Sequence, residues 1–255
     1  MRRRENLIAS EVKAKSVLTK SRLADYCVNP YSGCAHACAY CYVPLMPWNK
    51  ECSEWGKRVA VKTNAAEVLA AELARARKGT VMMSTATDAW QPLEEKYGIA
   101  RKCLEVLAEK DFPLTVLTKS TLITRDVGIL KRFSNATVGL TITTDREEVA
   151  GTLEPNNASP GKRVEALARL KTAGLTTYAF IGPLLPMNAE ALADALEEKI
   201  DFAFVDRLNY ATPPLKQLLE KNGLSQCLSR AWAAEKGREL ARLLEARGVK
   251  ATVLF

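Results

Sequence analysis

Three cysteines in one short stretch, Cys34, Cys38 and Cys41 within NPYSGCAHACAYCY (residues 29–42), are the residues whose type and spacing point most directly to chemistry. Thiolates that must meet one compact inorganic core are presented from one loop, so ligand cysteines cluster locally. The C-x3-C-x2-C spacing supplies three thiolates and no fourth. A 4Fe–4S core held this way keeps one iron without a protein ligand, and an open coordination position is where a metal centre does chemistry rather than structure. Two other readings fit the same residues. His36, the only histidine, would complete a Cys3His zinc site, although it sits two residues from two of the cysteines and structural zinc sites space their ligand pairs further apart. Cys27 or Cys52 would complete an ordinary four-cysteine cluster of an electron carrier.

The rest of the chain must fold around this loop. Over 255 residues it is 47% hydrophobic and 26% charged, the composition of a globular protein with a substantial core. No apolar run reaches membrane-spanning length, and the basic MRRR start has no apolar segment behind it, so neither a membrane span nor a signal peptide is expected. Seven cysteines, an odd count with three in one loop, argue against a secreted disulfide framework and for a cytoplasmic protein in a reducing, low-oxygen setting. The net charge of +8 suits an acidic partner such as nucleic acid. The basic residues are nevertheless spread along the chain without aromatic interleaving, and net charge also serves solubility.

Residues 1–22 are polar without a clear period and read as an extended, basic lead-in. Strands are expected at 23–28, 80–85, 114–118, 137–143, 176–181 and 202–208. Amphipathic helices are expected at 65–78, around 99–107, and at 124–133, 162–173 and 189–199. Pro44, Pro47, Trp48 and Trp55 form an irregular segment that either shields the loop from water or simply packs. Residues 211–255 read as a helical extension with one short strand at 249–255, in the same domain as 23–210. Apolar strands alternating with amphipathic helices mean an α/β fold with a parallel sheet. Six units are too few for a closed eight-fold barrel and fit an open, partial (β/α)6 barrel, here expected as a single-domain monomer. In such sheets ligands gather at the carboxyl ends of the strands, which is where the cysteine loop lies.

Other polar residues stand at the same strand ends. After the second strand come Ser84-Thr85-Ala86-Thr87-Asp88-Ala89-Trp90-Gln91-Pro92, whose hydroxyls and carboxylate are expected to face one place. Thr87 or Asp88 could bind an ammonium, and Ser or Thr ahead of Asp can also simply start a helix. Lys119 follows the third strand and suits a carboxylate. Thr141 and Thr143 lie in the fourth, Glu154 and Arg163 lie beyond it and could merely pair, and Gly182-Pro183 follows the fifth.

The cysteine spacing, with Tyr40 just before the last cysteine, resembles the cluster loop of radical S-adenosylmethionine (SAM) enzymes. The T-x-T-D-x-aromatic-Q-P turn, with NPY-x-GC ahead of the cluster, resembles the spore photoproduct lyase-like, or DNA repair photolyase-like, branch of that superfamily, over about residues 25–186. That turn stands where most members carry a Gly-Gly-Glu segment for the SAM amino group. The resemblance implies a 4Fe–4S cluster on Cys34, Cys38 and Cys41, with SAM on the open iron and reductive cleavage to a 5′-deoxyadenosyl radical. It also implies a catalytic role for Tyr42 and SAM contacts from Tyr40, Ser84, Thr87, Asp88, Lys119, Thr141, Thr143, Glu154, Arg163 and Gly182. A flavodoxin or ferredoxin would supply the electron, and a nucleic-acid substrate is slightly favoured. One position departs from the lyase: its hydrogen-donating cysteine, three residues before the turn's aspartate, is Thr85 here. A threonine O–H bond is far stronger than a thiol S–H bond, so repair of spore photoproduct itself is not expected.

Overall fold

The computed structural model describes residues 7–46 and 55–255, which fall into two compact units, Met1–Ala37 with Val43–Thr137 and Cys38–Tyr42 with Val138–Phe255. Pro47, Trp48 and Cys52, weighed above as shielding residues and a fourth ligand, lie outside the described residues.

The first unit contains two sheets. In the smaller, β1 (Ile8–Val12) runs parallel to β5 (Arg58–Lys62), and β4 (Tyr31–Ser32) pairs antiparallel on the other side of β5. The larger has the order β7-β6-β3-β2: β2 (Leu18–Lys20) is antiparallel to β3 (Tyr26–Val28), while β3, β6 (Val81–Met83) and β7 (Leu114–Thr118) are parallel. The lead-in expected to be extended contains two strands, β1 and β2. It is fastened by the amides of Val17 and Leu18, which donate to Glu72 Oε2 at 3.0 and 2.8 Å. Glu72 belongs to α1 (Ala65–Leu73), which packs on α3 (Ile99–Glu109). Ile99, Cys103, Leu104 and Leu107 form the buried stripe of α3, a helical period that makes Cys103 a core residue as its spacing predicts. Two short helices, α2 (Glu94–Tyr97) and α4 (Val127–Leu130), complete the unit, α4 continuing a 3-10 segment at Thr121–Asp126.

In the second unit the strands follow chain order: β8 (Ala136–Thr141), β9 (Thr176–Ile181), β10 (Phe202–Val205) and β11 (Lys250–Val253), with β9, β10 and β11 parallel. The helices are α5 (Glu147–Leu153), α6 (Pro160–Thr172), α7 (Ala189–Leu196), α8 (Pro213–Lys221) and α9 (Arg230–Ala246). Proline at the first position starts α6 and α8, where its missing N–H costs nothing. Val149 and Leu153 of α5 bury themselves with Leu185, Leu215, Leu219 and Cys227, and Tyr40 packs against this cluster. The chain is thus an α/β protein with a mostly parallel, open sheet, the partial-barrel class its pattern predicts. No helix among the described residues is long and apolar enough to cross a membrane.

Candidate active site

The cysteine loop begins at Asn29, directly after β3. Asn29 Oδ1 accepts from the amides of Thr85 and Ala86 at 3.1 and 2.9 Å, and Nδ2 donates to Thr85 Oγ1 at 3.2 Å. One side chain therefore ties the start of the loop to the turn after β6. Gly33, just before Cys34, has φ +84°, and a Cβ there would run into the carbonyl of Arg58 in β5. Both the left-handed conformation and the close approach require glycine. The Gly33 carbonyl accepts from Thr87 Oγ1 at 2.6 Å, and the amide of Ala35 donates to Gln91 Oε1 at 2.8 Å.

The 84–88 turn does not present its polar groups to one place. Ser84 Oγ accepts from the amide of Ala89 at 2.7 Å, Thr85 meets Asn29, and Thr87 meets Gly33. Asp88 is buried, accepts three hydrogen bonds and has His36 beside it. Its Oδ1 takes Thr118 Oγ1 at 2.7 Å and the Trp90 amide at 2.9 Å; its Oδ2 takes the Lys119 amide at 2.8 Å and stands 3.3 Å from Nε2 of buried His36. Burial opposes ionisation of Asp88, but His36, the Lys119 amide and the Thr118 hydroxyl outweigh it and hold the carboxyl at about 2. Asp88 thereby joins the loop, the turn and the end of β7, with Lys119 at the strand end.

His36 is thus engaged with Asp88. Among the described residues no three His, Cys, Asp or Glu side chains, the loop cysteines included, stand together as the ligands of a single metal ion would. It is the contact of His36 with Asp88 that weighs against a Cys3His zinc site. Cys27, the other described candidate for a fourth ligand, is buried in β3 with its Sγ 3.0 Å from Thr19 Oγ1.

In the second unit, the amide of Ala39 donates to the carbonyl of Leu153 at 2.8 Å and that of Cys41 to the carbonyl of Cys38 at 3.1 Å. Tyr40 sends its hydroxyl inward to the carboxylate of Glu154. Glu154 also accepts from Thr143 Oγ1 at 3.0 Å and forms a buried ion pair with Arg163. Arg163 in turn donates to the carbonyls of Thr141 at 3.0 Å and Ala158 at 2.8 Å. Burial, with the Glu154 charge beside it, pushes the Tyr40 phenol well above its ordinary range. Burial works to deprotonate Arg163, yet Glu154 prevails and holds it more firmly charged. Tyr40, Thr143, Glu154 and Arg163, singled out separately in the sequence, therefore form one network, in which Glu154 and Arg163 do pair with each other.

Tyr42 points the other way. It is exposed and stacks on Tyr210, ring centroids 5.9 Å apart. Gly182 follows β9, where a Cβ would meet the ring of Phe180. Sequence reasoning passed over Tyr210, and also Asn157, whose Nδ2 lies 3.3 Å from Cys38 Sγ; neither sits in a recognisable spacing. Asn29 and Gln91 were visible only as letters of the NPY and Q-P segments. The chemistry of the donor set fits an iron–sulfur cluster: one loop carries three cysteines, the residue type that binds such a cluster, and an amide nitrogen of Asn157 lies 3.3 Å from Cys38 Sγ.

The sheet is open and mostly parallel, and its first parallel strand runs straight into the loop with three cysteines, at the strand ends where such folds build their sites. Residues 28–198 match the Radical SAM superfamily, and the chain belongs to it. It is accordingly an enzyme of the SAM and iron–sulfur class. An uncharacterised protein of Methanocaldococcus jannaschii is 33% identical over 217 residues, covering 83% of this chain and 82% of its own. An uncharacterised protein of Mycobacterium tuberculosis is 32% identical over 195 residues; the match covers 71% of this chain and 57% of that longer protein. Among solved structures, a spore photoproduct lyase variant with bound AdoMet and dinucleoside spore photoproduct shares the fold, with a TM-score of 0.72 at 15% identity over 99% of this chain and 82% of that one.

Proposed function

We propose that Cys34, Cys38 and Cys41 hold a 4Fe–4S cluster with one open iron, and that the protein uses it to generate a radical from SAM for hydrogen abstraction from a nucleic-acid substrate. When bound, the cluster supplies the electron that cleaves SAM to methionine and a 5′-deoxyadenosyl radical. The protein's own residues position and enclose. The observation that carries the reading is the anchoring of the cysteine loop: Asn29 and the Asp88–His36 contact fix its first half, and Tyr40 on Glu154 fixes its second. With His36 directed to Asp88, the loop offers three thiols and no imidazole.

Lys119 would meet the SAM carboxylate, where a cation is the natural partner. The turn at Ser84 and Thr87, kept in shape by Asp88, would take the amino group, and Thr141, Thr143 and the Gly182 backbone would line the nucleoside end. Tyr40, Glu154 and Arg163 would support this site from behind the loop. Tyr42 faces outward, and its stack with Tyr210 offers an aromatic face of the kind on which bases stack. With the net charge of +8, that pair supports a nucleic-acid substrate. Thr85, bonded to Asn29, is not a hydrogen donor, so the reaction would differ from spore photoproduct repair. A flavodoxin or ferredoxin would deliver the electron.

The test is 5′-deoxyadenosine formation by anaerobically reconstituted protein given SAM and dithionite. Product is expected from the wild type and none from a Cys38→Ala variant with an unchanged circular dichroism spectrum. Product from that variant, or an intact wild-type cluster whose EPR spectrum ignores SAM, would refute the assignment. For the substrate class, binding to single-stranded DNA or RNA should weaken steeply with salt, as counterion release demands.

A further inference from the structure

The segment leaving α5 grips the cysteine loop at three consecutive points. The carbonyl of Leu153 takes the amide of Ala39, the carboxylate of Glu154 takes the hydroxyl of Tyr40, and Nδ2 of Asn157 reaches Sγ of Cys38 at 3.3 Å. The third contact differs in kind from the first two, because it touches a proposed ligand atom. Asn157 is held for it. Its own amide closes a turn onto the carbonyl of Glu154 at 3.1 Å, and the next residue's carbonyl is held by Arg163 Nε at 2.8 Å. The Asn157 Oδ1 is buried and finds no partner, so the side chain is not placed for the sake of its carbonyl end. A thiolate carries no proton and can only accept, so a ligating Cys38 requires the amide nitrogen on this side.

Hydrogen bonds to cluster sulfurs, together with charge and exposure, set the reduction potential of an iron–sulfur centre. An N–H dipole aimed at a ligand sulfur stabilises the more negative, reduced state more than the oxidised one. We infer that Asn157 is a positioning residue that raises the reduction potential of the cluster through its amide bond to Cys38, making electron uptake easier. The inference rests on the reading of Cys38 as a cluster ligand. It assigns a function to a residue in the EPNNASP run that no spacing or resemblance singles out.

The experiment is an EPR-monitored redox titration of the reconstituted cluster in full-length wild type, Asn157→Leu and Asn157→Asp. Leucine keeps the bulk and removes the donor; aspartate keeps the shape, removes the donor and adds a like charge. The ratio of reduced to oxidised cluster at a fixed potential should fall about tenfold for leucine, which for a one-electron couple is a midpoint about 59 mV lower. Aspartate should lie lower still. A role in packing alone would not produce that order, because both variants lose the same bond. A cluster-loaded leucine variant at the wild-type potential overturns the inference while leaving the ligand assignment intact, as does an aspartate variant no lower than leucine. Loss of the cluster from both folded variants overturns potential tuning in favour of a structural role. A wild type that takes up no cluster refutes the ligand assignment itself, and this inference with it.

Discussion

The buried pair of Glu154 and Arg163 makes the most exacting test of how the cysteine loop is supported. Their side chains are 0% and 1% exposed, so neither charge has water to fall back on. Removing one partner of such a pair leaves the other uncompensated and costs about 3–5 kcal/mol, whereas the net value of the intact pair against apolar replacements is small. Glu154→Gln removes the charge but still offers Tyr40 and Thr143 an acceptor, so its cost reports the stranded Arg163 and should fall near the lower end of that range. Arg163→Met keeps the aliphatic stem, strands the Glu154 carboxylate and leaves the carbonyls of Thr141 and Ala158 without their donor, which places it toward the upper end. In the double variant no uncompensated charge remains. Its cost should be close to that of the costlier single change, with a coupling of about 3 kcal/mol between the sites. Urea unfolding followed by circular dichroism reads this directly. At a slope of about 2 kcal/mol per molar, each single variant should shift the midpoint down by about 2 M, and the double variant by no more. Single costs below about 1 kcal/mol, or costs that simply add, would show that the pair is not the closed, dry interaction described.

Asp88 predicts an acid-side signature. Its folded carboxyl titrates at about 2, below the ordinary value of about 3.9, so its ionised form stabilises the fold above that ordinary value and the contribution is lost as pH falls through about 2. The wild type should lose roughly 2–3 kcal/mol from this source between about pH 5 and pH 1, and Asp88→Asn should lack that part of the slope; parallel curves would contradict it. Gly33→Ala should destabilise the first unit by about 1–3 kcal/mol, seen as a lower thermal midpoint, because both the left-handed backbone and the Arg58 carbonyl oppose a Cβ; an unchanged midpoint would contradict it. Burial pushes the Cys103 thiol up to about 12 and that of Cys227 to about 11, so both should resist iodoacetamide in the native protein at pH 8. Rapid labelling of either, mapped by mass spectrometry, would show that its site is open.

How far the sequence could be read depended on what kind of constraint each residue answers to. β7 and β9 lie at the expected 114–118 and 176–181, because strands buried among helices must carry apolar runs that a reader can see. β1 was not legible: four of its five residues are exposed, and it is a strand because its backbone pairs with β5, a partner that leaves no period in the sequence. α5 reads EEVAGTL, with Gly151 and β-branched residues that lower helix propensity; burial of Val149 and Leu153 overrides that preference. The same division runs through the site. The three cysteines were legible because ligand chemistry dictates both residue type and spacing. Asp88 was noticed for its charge, yet its task is set by the partners around it: a carboxylate that could have met an ammonium is instead occupied by His36, Thr118 and two backbone amides. For Glu154 and Arg163 the plain reading, that they pair, also explains their use, since a pair buried under Tyr40 holds the loop more firmly than either residue alone. Asn157 had no signal because an asparagine in a proline-flanked turn is ordinary; only its 3.3 Å approach to Cys38 separates a turn residue from one that can act on a ligand. Chemistry restricts the residues that touch a cofactor to a few types, whereas the residues that hold those in place are restricted only by position, which a chain discloses when folded.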